Sequence, residues 1–340
     1  MKKKIAVGVL GAFLLLSGCA PASSESDFYA MDTIMVVTAY DKNEDAAESA
    51  RVEIEQHINA LDQLMSRQRK ESNLSQLNAT SGAIMLVDHE LYEAIETALY
   101  YAELTDGAYD PTTAPLSDLW GIGTESQHVP TQAEIDAVLP KVGWQNIKLL
   151  GQDKIQLLNG AQVDLGGIGK GWAANDTAAI CKTAGDTLRV LAQLGGNIIG
   201  IGENPNNKDG EWVIGIANPD NSADYVATIA ITNESVVTSG DYERYFEQDG
   251  KRYHHIFDPK TGYPADSGLR SVTVVDSDSA RADALTTALF VMGLDKGMEF
   301  CEQHDIKAVF ITDDKRIVPT DNVKDQYEFS GEQAGYSDGQ

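Results

Sequence analysis

The chain has 340 residues and a formal net charge of −26. So large an acidic excess excludes a nucleic-acid-binding protein, which needs a basic stripe, and a hydrophobic content of 42% excludes an intrinsically disordered chain. The length suits one large domain or two small ones.

Lys2, Lys3 and Lys4 precede an apolar run from Ile5 to Leu16. The run is too short to span a bilayer and has the layout of a signal peptide. It ends at Leu16-Ser17-Gly18-Cys19, which resembles the lipobox of bacterial lipoproteins, whose cysteine is lipidated. Residues 1–18 therefore read as a lipoprotein signal peptide and residues 19–27 as a lipid anchor and tether. Such an anchor implies a protein held by lipid on the extracytoplasmic face of a bacterial membrane. An ordinary secretory signal with a chance cysteine is the alternative.

Phe28 to Tyr40 reads as one strand that includes Met31. Asn43 to Met65 reads as an amphipathic helix, with Ile54, Ile58, Leu61 and Met65 at helical spacing. Arg67, Arg69 and Lys70 read as a solvated basic run. Asp88 caps a second helix that extends to Leu104. Gly107-Ala108-Tyr109-Asp110-Pro111-Thr112 is a loop in which Asp110 can cap a turn. Thr131 and Glu134 form a capping box that opens a short helix. Trp144 to Leu150 and Lys154 to Leu158 read as a hairpin.

Val163-Asp164-Leu165-Gly166-Gly167-Ile168-Gly169-Lys170-Gly171 reads as a strand, a glycine-rich turn and a helix start. Such a turn exposes backbone N–H groups at a helix N-terminus, which suits phosphate, and Lys170 adds a positive charge. It is not a P-loop, because the required spacing is absent. Further strands read at Leu188–Leu194, Trp212–Ala217, Tyr225–Thr232 and Val236–Val237. Tyr242–Phe246 and Arg252–Phe257 read as a hairpin about Asp249-Gly250. His254 and His255 are neighbours near its end, so only one of them faces a given site. Asp258-Pro259 stops that strand, and Thr261-Gly262 follows in the turn. Arg270–Val275 and Ile306–Thr312 read as strands. Cys181 and Cys301 fall in apolar helical contexts and read as buried free thiols, with a disulfide left open. Residues 321–340 are acidic and rich in Gly and Ser, and read as a mobile tail.

A helix from Ala280 places Asp283 and Thr287 on one face. A carboxylate and a hydroxyl one turn apart offer two hard oxygens suited to Mg²⁺. The plainer reading makes Asp283 a carboxylate near a helix N-terminus and Thr287 a hydroxyl bonded to a carbonyl. Spacing alone favours the plainer one.

Taken together, these strings resemble the ApbE family, the FAD:protein FMN transferases. Met31-Asp32-Thr33 resembles the family's M-G-T, with Asp32 in place of Gly. Gly107–Leu116 with Leu119-Trp120-Gly121 resembles G-a-F-D-P-T-x-x-P-L-x-x-L-W-G. Asp164–Gly171 resembles D-L-G-G-I-A-K-G, with Gly169 in place of Ala. Gln68 stands where the family often has an aromatic residue. Thr238-Ser239-Gly240, His254-His255-Ile256-Phe257-Asp258-Pro259-Lys260-Thr261-Gly262 and Ala282–Gly293 complete the likeness, which covers Phe28 to Thr312.

The fold expected is α+β, with a mixed, mainly antiparallel sheet flanked by helices in one catalytic domain over residues 28–320. The resemblance implies Mg²⁺-dependent transfer of FMN from FAD to a Thr or Ser hydroxyl of an extracytoplasmic acceptor protein, releasing AMP. It implies metal ligation by Asp283, Thr287 and the Gly169 carbonyl. FAD contacts are implied for Met31, Ala108, Tyr109, Asp110, Asp164, Lys170, His255, Ile256 and Thr261. His255 is the candidate for assisting the attacking hydroxyl, since such help needs a group that titrates near neutrality. A hydrolase splitting FAD into FMN and AMP, and a non-catalytic FAD-binding lipoprotein, are the alternatives.

Overall fold

The computed structural model describes residues 21–339. Residues 1–18, read as a signal peptide, and Cys19 lie outside the described residues. Runs rich in Val, Ile and Thr, such as TIMVVTAYD and SVTVV, fit a pleated surface and join one nine-stranded sheet. Across it the strands are Ala22–Ala30, Thr33–Asp41, Arg189–Gln193, Asn197–Ile201, Glu234–Gly240, Leu269–Asp276, Lys307–Thr312, Arg316–Pro319 and Ser337–Asp338. Sheet order follows chain order. Neighbouring strands are antiparallel, except for the parallel last pair. The expected α+β class is the one found.

Among the described residues eight α-helices are inserted between these strands: α1 (Glu44–Met65), α2 (Asn73–Asn78), α3 (His89–Leu104), α4 (Ala114–Trp120), α5 (Gln132–Val138), α6 (Gly169–Ala184), α7 (Ser279–Met292) and α8 (Leu294–His304). Their starts are set by side chains that accept otherwise unpaired backbone N–H groups. Asn43 caps α1, Asp88 caps α3 and Asp278 caps α7. Thr131 and Glu134 form the capping box of α5. No helix among the described residues is long and apolar enough to cross a membrane.

Strand alternation divides the core. Val190, Ala192 and Ile199 pack with the inward stripes of α1, α3 and α6. Their neighbours Leu191 and Ile198 pack on the other side, against a three-stranded sheet of Trp212–Asn218, Asn221–Ile231 and Tyr327–Phe329. A third cluster lies around α7 and α8, where Leu289, Phe290 and Phe310 are fully buried. Cys181 and Cys301 are both free and buried, and burial pushes each thiol up to about 12.

Four expectations need correction. Phe28–Tyr40 is not one strand: it breaks at Met31 and Asp32, both left-handed at φ 47° and 67°. Distant partners hold this turn. The Met31 N–H donates to Asp62 (3.0 Å), and Arg244 donates to the Asp32 carbonyl and carboxylate. The tether, too, is largely strand, because Ala22 to Ala30 pair residue by residue with Asp41 to Thr33. Val163–Leu165 is not a strand. It runs beside the Asn78 side chain, which bonds both the N–H and the carbonyl of Val163.

The C-terminal segment is not a mobile tail either. Tyr327–Phe329 pairs with Asn221–Ile231, Ser337–Asp338 pairs with Arg316–Pro319, and Val323, Tyr327 and Tyr336 are buried in the second core. Three apolar anchors in an acidic stretch suffice, since each large side chain contributes kilocalories. A chain ending at Thr320 should therefore melt far below the full chain, and Tyr336→Ala alone should cost about 3 kcal/mol. Unchanged denaturant midpoints would restore the mobile tail.

Candidate active site

A cleft of about 1040 Å³ opens where the Met31 turn, the end of α1, the loop before α4, the start of α6 and the face of α7 meet. That volume is at the upper end of ligand pockets and suits a dinucleotide. Its floor is built by two helices brought close by a glycine. A Cβ on Gly171 would stand 2.2 Å from the Ser279 carbonyl oxygen, so only glycine lets α6 and α7 approach this nearly. The Gly171 N–H donates to Asp283 Oδ2 (2.9 Å). Lys170 Nζ donates to the Gly166 carbonyl (3.2 Å) and stands 3.9 Å from Asp283 Oδ1.

The plainer reading of Asp283 and Thr287 does not describe this geometry. Asp278, not Asp283, caps α7, and it is Thr286 that donates to a carbonyl, that of Asp283 (2.8 Å). Thr287 Oγ1 borders the cleft instead, 3.3 Å from where a Cβ on Gly167 would stand. Asp283, Thr287 and Gly169 all line the cleft, and a carboxylate, a hydroxyl and a backbone carbonyl are hard oxygen donors. Such a donor set fits Mg²⁺. A separate cluster of His57, Glu90 and Asp176 joins α1, α3 and α6 outside the cleft, with His57 Nε2 2.9 Å from Asp176.

Met31, Ala108, Tyr109, Asp110, Asp164, Lys170, His255 and Ile256 also line the cleft. Thr261 does not: it is exposed in the Asp258–Gly262 turn, where its hydroxyl accepts from the Tyr263 N–H. Asp110 lines the wall but is occupied within its own loop. It accepts from the Thr112 N–H (2.8 Å), the Thr112 hydroxyl (2.5 Å) and the Trp144 N–H (2.8 Å). Burial raises its carboxyl, and those hydrogen bonds oppose the rise. Asp110 therefore shapes the loop, as the turn-cap reading had it. Trp120 ties that loop to the histidine segment. Its indole N–H donates to the Gly262 carbonyl (2.9 Å), and its ring packs on Tyr253, Phe257 and Tyr263.

The basic run is only partly solvated. Arg67 donates to Asp118 (2.5 Å) and stands 3.5 Å from Asp164, while Arg69 donates to Asp62 (2.8 Å), the carboxylate that holds Met31. Asp62, Asp118, Glu243 and Arg244 all line the cleft, and sequence reading missed them. Only their spacing beside the motifs could have pointed to them. Glu243 lines the open cleft with an exposed side chain, and its carboxyl is pushed up to about 7, first by desolvation, then by Asp283, with Lys170 opposing.

The two histidines diverge, although the expected strand Arg252–Phe257 is Lys251–His254 and His255 lies just beyond its end. His254 is buried, stands edge-on to Phe290 and bonds the Ala265 carbonyl through Nε2 (3.1 Å). His255 faces the cleft, and its Nδ1 lies 3.3 Å from the Arg244 carbonyl. A carbonyl can only accept, so Nδ1 carries the proton and Nε2 presents a lone pair. The His255 pKa is pushed down to about 3 by burial, then by the Arg244 charge and His254. The expectation that His255 itself titrates near neutrality is thus not met in the free protein.

That depression sets a pH dependence. Between the ordinary value of 6.5 and the folded value of about 3, the unfolded chain protonates this ring and the folded chain does not. The unfolded state then binds more protons, so stability is lost as pH falls through this window. His254, lowered chiefly by burial, acts with the same sign. Glu243, raised above its ordinary value, contributes with the opposite sign over this range, so the His255 contribution is read as a difference: from about pH 7 to about pH 4.5 the stability of the wild type relative to His255→Asn should fall as pH falls. A difference that does not change with pH would remove His255 as a source of this loss.

The "ApbE family" model matches residues 31–310. The FAD:protein FMN transferase of Treponema pallidum is 34% identical over 311 residues, covering 86% of this chain and 86% of that protein. That of Escherichia coli is 34% identical over 281 residues, covering 79% of this chain and 78% of its own. Of solved structures, the ApbE protein of Thermotoga maritima superposes with a TM-score of 0.84 at 32% identity, covering 89% of this chain and 99% of that one. The Pseudomonas stutzeri flavinyl transferase ApbE gives 0.79 at 29% identity, covering 90% and 97%. With the model spanning most of its length, this chain belongs to the ApbE family.

Proposed function

We propose that the chain is an Mg²⁺-dependent FAD:protein FMN transferase that acts on a Thr or Ser hydroxyl of an extracytoplasmic acceptor protein. The observation that carries the reading is the convergence in one cleft of the α6 N-terminus, Asp283, Thr287 and the free Nε2 of His255. An acidic chain can hold a diphosphate only where N–H groups and cations offset its charge. The glycine turn before α6, Lys170, Arg67 and Arg244 all line the cleft and can do so. Asp283, Thr287 and the Gly169 carbonyl would hold Mg²⁺, which when bound neutralises diphosphate charge during transfer.

His255 Nε2 accepts the hydrogen of the acceptor hydroxyl and aims its oxygen at the FMN phosphorus. An O–P bond forms there, the P–O bond to AMP breaks, and AMP leaves. Bound diphosphate places negative charge opposite Arg244. That charge lifts the imidazole pKa toward neutrality and lets Nε2 take the hydroxyl proton.

The test is incubation with FAD, Mg²⁺ and a candidate acceptor, followed by intact-mass measurement of the acceptor. Its mass should rise by one FMN phosphoester. AMP release without acceptor would identify the hydrolase instead, and FAD retained without AMP release would identify the binder. Asp283→Ala should abolish transfer. His255→Ala should slow it by roughly two to four orders of magnitude while weakening FAD binding much less. His254→Ala should instead lower stability, because it empties a packed, hydrogen-bonded site. A folded Asp283→Ala protein at full rate would sink the metal assignment.

The extracytoplasmic setting rests on Leu16-Ser17-Gly18-Cys19. Cys19→Ser should release the protein from membranes into the soluble fraction. Continued partitioning with detergent would refute the anchor.

A further inference from the structure

The floor of the cleft holds one polar group that the described structure leaves unsatisfied. Tyr109 is 3% exposed, and its hydroxyl is buried with no hydrogen-bond partner among the described residues. Its ring lies against Gly167: a Cβ there would stand 3.1 Å from the ring and 3.3 Å from Thr287 Oγ1. The side chain therefore ends beside the region where Asp283, Thr287 and the α6 N-terminus meet. A buried hydroxyl without a partner costs free energy, and most are satisfied. Burial, then the charges of Asp283, Asp164 and Asp110, holds the phenol well above its ordinary pKa. A phenol hydroxyl has one hydrogen to donate, and no acceptor oxygen among the described residues meets it.

We infer that Tyr109 is a positioning residue whose hydroxyl gains its acceptor only in the loaded site, from an anionic oxygen of the Asp283–Thr287 shell or of the diphosphate held there. The inference rests on the Mg²⁺ and FAD reading above. In the free protein the donor is paid for as strain on stability; in the loaded protein it fixes the position of the oxygen that it bonds.

The assignment makes the free and loaded proteins respond in opposite senses. Tyr109→Phe removes only the hydroxyl. Thermal melts of wild type and variant would be compared without ligand, with Mg²⁺ alone and with Mg²⁺ plus FAD. Free Tyr109→Phe should melt at or above the wild-type temperature, because an unpartnered polar group is gone. Its ligand-dependent rise should be smaller, with FAD bound about two- to tenfold more weakly. A rise diminished with Mg²⁺ alone places the acceptor in the protein's own carboxylate shell. A rise diminished only with FAD places it on the diphosphate. A variant that melts several degrees lower or fails to fold, yet shows the wild-type rise where measurable, makes the hydroxyl structural and overturns the inference. An unchanged rise and unchanged FAD affinity overturn it as well. If wild type itself gains nothing from Mg²⁺ and FAD, the functional reading fails and the Tyr109 role fails with it.

Discussion

The hydrogen bond from the Gly171 N–H to the Asp283 carboxylate joins the two helices on which the site is built. It forms only because residue 171 has no side chain, since a Cβ there would strike the Ser279 backbone. A carboxylate at a helix N-terminus is favoured by the aligned peptide dipoles, and the Gly171 N–H holds Asp283 at the start of α6. Removing the glycine would push α6 off α7 and separate Asp283 from Lys170 and the turn at Gly166-Gly167. The cleft depends on this contact more than on any single wall residue.

The walls solve a charge problem. With a net charge of −26 the surface repels anions, yet the cleft has the size for a dinucleotide. Its cations are each tethered to a carboxylate: Arg67 to Asp118, Arg69 to Asp62, Arg244 to Asp32 and Lys170 near Asp283. Partly exposed pairs of this kind add little stability. They fix where the positive groups stand, at the Met31 turn and along the cleft. The same logic accounts for two consecutive left-handed residues at Met31 and Asp32, a costly conformation held by Asp62 and Arg244 from outside the hairpin.

Two polar groups in the cleft stand away from their ordinary states, and burial is the first cause in each. The His255 imidazole is pushed down and the Glu243 carboxyl is pushed up. Both face the Arg244 and Lys170 charges, so filling the cleft with an anion changes both. His254, one residue away, is the last residue of its strand and serves the core instead, bonded to the Ala265 carbonyl and edge-on to Phe290.

What the sequence by itself determined was local or carried by long ordered strings. Helix starts at Asn43, Asp88 and Thr131 were legible because a cap is a contact between near neighbours. The α+β class, the family and most of the cleft lining followed from glycine-rich and Asp-Pro strings whose order cannot arise by chance. Tertiary structure alone decided whatever needs partners far apart in the chain. The Met31 turn carries no turn residue at its first left-handed position, and Asp62 and Arg244 create it. The C-terminal segment looks mobile by composition, and the pairing of Tyr327 with Ile229 orders it. Asp110 and Thr261 share motifs with residues at the cleft, yet the fold turns one carboxylate into its own loop and leaves the other hydroxyl outside. Propensity and motif record what a residue can do. Which partner reaches it is a matter of packing, and packing sums over contacts that no short stretch of sequence contains.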